Sequence, residues 1–92
     1  MERQRIEDLL RGLIEELAAL EHERWSHWQR YLHSKCVHQA DGSLLIPADL
    51  VARWEKQAHT KYEDLSSEER ESDREQVRKY LPLIASALAA PV

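Results

Sequence analysis

Apolar residues recur at three- and four-residue steps through the first third of the chain, at Ile6, Leu9, Leu10, Leu13, Ile14, Leu17, Leu20, Trp25, Trp28 and Leu32. Between Glu2 and Lys35 there is no proline and one glycine, Gly12. The pattern predicts one long amphipathic helix, or two joined by a bend. Gly12 costs about 1 kcal/mol against alanine in a helix interior, so it either permits close helix approach or marks the bend. Ile6, Leu10, Leu13, Leu17 and Leu20 also fit about two heptads. Residues 1–20 are therefore expected to serve as an oligomerisation helix.

The clearest break runs from Val37 to Ser43, where Asp41-Gly42 supplies a turn pair between two structured stretches. Ser43 to Ile46 reads as a short strand or an extended buried connector. Pro47 suits a first helical position, and Ala48 to about His59 reads as a helix with Leu50, Val51 and Trp54 facing inward. Ser66-Ser67-Glu68-Glu69 has the S-x-x-E form of a capping box, which predicts a third helix with Val77, Leu81, Ile84 and Leu88 as its apolar stripe. Early acids, Glu68, Glu69 and Glu71, suit the positive end of its dipole. Pro82 removes a backbone donor within that stripe and predicts a kink or break near Tyr80 to Leu81. The expected fold is all-α, mainly helical: a long N-terminal helix plus two shorter ones, with a short extended segment at 43–46, in one domain over residues 1–92.

Ninety-two residues allow one modest core, which makes help from homo-oligomerisation, as a dimer or higher, an expectation. Thirteen basic against 17 acidic residues leave a net charge of -4, which argues against wrapping DNA or RNA. A single cysteine, Cys36, excludes an intramolecular disulfide. No basic leader followed by an apolar run opens the sequence, and nothing approaches the roughly 20 apolar residues of a membrane span. A cytoplasmic location without membrane contact is expected.

The densest chemistry lies in Glu21-His22-Glu23-Arg24-Trp25-Ser26-His27-Trp28, which crowds indoles, imidazoles, a guanidinium and carboxylates onto helix. Trp with Arg and carboxylate suits stacking a planar ring and hydrogen-bonding its edge. The competing reading makes Trp25 and Trp28 large core residues. Arg24, Arg74 and Arg78 are the candidate phosphate partners, because a guanidinium pairs two phosphate oxygens at once. For any single one of them the favoured reading is a solvated partner of Glu21, Glu71 or Glu75. Glu21 and His22 offer groups for base edges or ribose hydroxyls. They would also serve as base and acid in a small nucleotide phosphodiesterase, yet the chain has no glycine-rich phosphate loop, G-x-S-x-G or H-E-x-x-H, and no catalytic residue is assigned. His33, Cys36 and His38 form H-x2-C-x-H, short of the four ligands of a structural zinc site. No metal or cofactor is expected.

Two ordered blocks resemble the ryanodine-receptor repeat (RyR) domain, a small, mostly helical module also found alone in bacterial and phage proteins. The first is H-x-x-W, here His22 and Trp25. The second is Y-x-x-L-x-x-x-E-[KR]-x-x-D-R, matched by Tyr62, Leu65, Glu69, Arg70, Asp73 and Arg74. The likeness covers roughly Leu17 to Leu83, and Tyr31 to Lys61 departs from the family's middle. The resemblance implies an adenine-nucleotide pocket in which Trp25 stacks on the base, with Tyr62, Asp73 and Arg74 as motif positions. The function expected is binding, as sensor or sequestering sponge, of a small nucleotide-derived ligand such as a cyclic nucleotide or ADP-ribose-type signal. In a phage it would extend to immune-signal sequestration as anti-defence. Ligand-binding residues on this reading are Glu21, His22, Arg24, Trp25, Trp28, Trp54, Tyr62, Asp73, Arg74 and Arg78. A protein-protein interaction adaptor, presenting the tryptophans as a hot-spot patch, is the alternative.

Overall fold

The computed structural model describes residues 2–89. The N-terminal apolar pattern forms two helices, α1 (Arg3–Arg11) and α2 (Ile14–Lys35), with the bend at Gly12 and Leu13. Leu13 N–H bonds to the Leu10 carbonyl at 3.0 Å, one residue short of helical spacing, and Leu17 N–H resumes the ladder on Leu13 at 2.9 Å. A Cβ on Gly12 would meet only Leu9 and Asp8 carbonyls of its own helix, so this glycine marks the bend and is not there for close helix approach. Residues 3–20 are accordingly divided between two helices, and the two heptads are split by the break.

Past α2 the chain makes a two-residue antiparallel pairing of β1 (Val37–His38) with β2 (Leu44–Leu45). Gly42 takes φ +90° in the turn, a region open to glycine at little steric cost. Asp41 Oδ1 accepts from Ser43 N–H at 2.9 Å and from the Ser43 hydroxyl at 2.6 Å, and those bonds, the hydroxyl's first, hold its carboxyl below the ordinary carboxylate range. The 43–46 segment is thus strand in part. It is not buried, because Leu45 and Ile46 are exposed.

Helix α3 (Ala48–Ala58) follows, with Pro47 extended and one position before it, not at its first turn. Leu50 and Trp54 are half-buried as expected, whereas Val51 is exposed. A 3-10 turn, Tyr62–Asp64, leads to α4 (Ser67–Ala89). The capping box forms: Ser66 Oγ accepts from Glu69 N–H, and Glu69 Oε1 accepts from Ser66 N–H, both at 3.1 Å. Helix α4 runs unbroken through Pro82, against the expected break. The exposed proline costs a bond to the Arg78 carbonyl, and α4 is supported along its length by contacts with both α1 and α2.

The class is mainly helical, with four α-helices instead of three and the last as long as α2. Helices α1 and α2 both pack on α4. Burial is slight: among the described residues Leu13 and Cys36 alone are buried apolar groups. The Cα radius of gyration is 18.4 Å over extents of 57 × 34 × 18 Å, against about 12 Å for a compact chain of this length. No described helix is long and apolar enough to cross a membrane.

Candidate functional site

The C-terminal half of α2, α3 and the start of α4 line a groove of about 920 Å³, with Trp28, Tyr31, Trp54, Arg53, Lys56 and Glu69 among its walls. Each wall has a local cause. Trp28 and Tyr31 lie three apart on α2 and meet edge to face at 5.8 Å and 87°. His27 also meets Trp28 edge to face, at 5.6 Å and 77°. The indole of Trp28 therefore meets two rings while 41% of the residue stays exposed. Arg53, Trp54, Lys56 and Gln57 come from one turn of α3, and Ser66, Glu68, Glu69 and Ser72 from the capped start of α4.

Charge in the groove is mixed. Hydrogen bonding to Ser66 comes first, and the nearby Arg53 and Lys56 add to it, in holding the Glu69 carboxyl below the ordinary range. Arg53 and Lys56 thus face a carboxylate that keeps its charge, with Asp64 and Glu68 also lining the groove. An anionic ligand would approach from the α3 side.

The other expected site residues are dispersed. Trp25 is 60% exposed. It stacks on His22 at 6.1 Å and 18°, over a separate shallow depression shared with Gln29, Arg30, His33 and His38. Trp25 and Trp28 are three apart, yet they serve different surfaces. Glu21 accepts the Tyr80 hydroxyl and stands 3.7 Å from Arg24. Tyr62 and Asp73 share a third, open hollow with Trp54, Thr60 and Leu65. Arg74 and Arg78 both turn to Glu71, at 3.4 and 2.5 Å. The Arg78 bond, with Arg74 second, lowers the Glu71 pKa, and the same pair raises that of Arg78. Of the expected phosphate partners, all three guanidiniums therefore sit on carboxylates of their own helix.

Arg53, Lys56 and Tyr31 were not singled out by the sequence. Arg53 and Lys56 look like ordinary solvated charges on α3 and Tyr31 like one more aromatic on α2, and only the placing of α3 opposite α2 and α4 makes them groove walls. No group of three or more His, Cys, Asp or Glu side chains among the described residues is placed to hold a metal ion, so His33, Cys36 and His38 are not gathered as ligands. Comparison of the chain with protein-family models, with curated proteins and with solved structures finds no match.

Proposed function

We propose that the protein binds a small nucleotide-derived ligand in the groove between α2, α3 and α4, and that it does so as a homo-oligomer without performing chemistry on it. The observation that carries this is the placing of two indoles from different helices, Trp28 and Trp54, in one groove with Arg53 and Lys56. A volume of about 920 Å³ lies within the roughly 300–1,000 Å³ of small-molecule sites. A planar base would lie against Trp28 or Trp54, a contact worth about 1–3 kcal/mol. Arg53 and Lys56 would meet phosphate. The RyR-like motif supports the same ligand class, since its Tyr62 and Asp73 border Trp54. A cyclic nucleotide or ADP-ribose-type signal fits this chemistry, and tight retention without turnover is the behaviour of a sensor or sponge.

A thermal-shift series with cyclic nucleotides, NAD and ADP-ribose tests it. A ligand present at 100 times its dissociation constant adds roughly 2.7 kcal/mol and raises the midpoint by several degrees. The shift should vanish in Trp28→Ala and Trp54→Ala and persist in Trp25→Ala. Loss only in Trp25→Ala would move the ligand to the shallow depression on α2. No shift with any nucleotide would leave the adaptor reading, which the 60% exposure of Trp25 favours.

A further inference from the structure

Apolar side chains that a compact monomer would cover are lined up on one side of the α2/α4 pair. On α4, Val77, Leu81, Ile84 and Leu88 fall within about 60° of one another around the axis at 100° per residue. Val77 and Leu81 are 53% and 54% exposed. On α2, Ile14 and Trp25 fall within about 20° of one another by the same geometry, and both are exposed.

The two stripes open on the same side. Tyr80 gives its hydroxyl to Glu21, while Trp28 and Leu32 stand beside Glu69 and Ser72 at the other end of the pair, so the helices run antiparallel. Glu21 is four residues from Trp25 and seven from Ile14, and Tyr80 is three from Val77 and four from Ile84. Both stripes therefore border the Tyr80–Glu21 contact. The order along the pair brings Trp25 level with Val77 and Ile14 level with Leu88.

We infer that this α2/α4 face is covered by a second copy of the chain. The surface area argues for that occupant. The chain exposes 7508 Å², whereas a compact monomer of its mass exposes roughly 5,500 Å². The excess, about 2,000 Å², is one protomer's share of an obligate dimer interface, which buries about 2,000–5,000 Å² in total. A chain with so little core needs its partner permanently, and a second copy is present wherever the chain is made. Glu21 enters such an interface with its charge already met by Tyr80 and Arg24. This assignment rests on the homo-oligomer half of the proposed reading and places Trp25 in the interface, apart from the ligand groove.

Size-exclusion chromatography with light scattering tests it on the full chain. Wild type should run at multiples of 10.8 kDa, beginning with the dimer. Leu81→Ala, with helicity retained by circular dichroism, should raise the dimer dissociation constant by about tenfold or more, since it removes a methylene-rich contact from both sides of a two-fold interface. Val77→Glu should give monomer or unfolded chain, and Val37→Glu, on the hairpin, should leave the mass unchanged. A wild type that is folded and monomeric throughout the micromolar range overturns both the oligomer reading and this face. An oligomer undisturbed by Leu81→Ala and Val77→Glu overturns the face alone.

Discussion

Ser66→Ala removes one acceptor from the start of the longest helix. Its Oγ takes the Glu69 N–H at 3.1 Å, and its own N–H gives to Glu69 Oε1 at 3.1 Å. Alanine deletes the first bond outright and leaves the second without its reciprocal partner. An N-cap serine replaced by alanine costs about 0.5–2 kcal/mol, typically about 1. For a domain of 60–100 residues that is a fall of about 4–8 °C in thermal midpoint. The melts are to be compared at equal protein concentration, because self-association shifts the midpoint by mass action. Ser66→Gly provides the control: glycine is itself a tolerated cap, so it should cost only a few tenths of a kcal/mol. The pH response gives a second readout. Bonding to Ser66 is the foremost reason the Glu69 pKa is low, so in Ser66→Ala its NMR titration should move up toward the ordinary carboxylate value. Alanine and glycine variants with equal midpoints, or an unmoved Glu69 titration, would refute the capping argument.

Leu13→Ala, at the bend and 7% exposed, should cost about 2–4 kcal/mol in urea unfolding, a large share of the stability of so small a domain; a loss under 1 kcal/mol would mean that the bend needs no apolar anchor. Gly42→Ala should destabilise by about 1 kcal/mol, because a Cβ there meets nothing while φ +90° strains any L side chain; a neutral result in chemical denaturation would count against that turn. Asp41, Glu69 and Glu71 all have lowered pKa values in the fold, so their contribution is fully present above the ordinary carboxylate range of about 4 and is lost as pH falls through their folded values. Thermal midpoints should hold from neutrality to about pH 5 and drop below about pH 4, and a midpoint that rises on acidification would contradict the assignments.

Local chemistry was legible in the residues themselves. The three- and four-residue apolar period, the Asp41-Gly42 turn and the Ser66–Glu69 box each act within a few residues, and each formed where its spacing predicts. Gly12 was readable as a bend or a close approach, and the structure selects the bend because nothing but its own helix lies near. Of the kink or break expected near Pro82, the break did not form, because the helix continues past the one missing donor in contact with α1 and α2.

The candidate site depended far more on distant segments. Trp25 and Trp28 share a stripe by spacing, yet α3 and the start of α4 close over Trp28 only. Trp54, Arg53 and Lys56 line the groove only because α3 stands opposite α2 and the start of α4, segments far apart along the chain. For Arg74 and Arg78 the sequence offered phosphate or a carboxylate of their own helix, and both pair with Glu71. Sequence alone determined which segments are helical and where the turn and the capping box fall, because those decisions turn on hydrogen bonds and side-chain periods within one or two turns. Tertiary structure decided which side chains share a groove and which apolar stripe is left uncovered, because each depends on how separate helices pack.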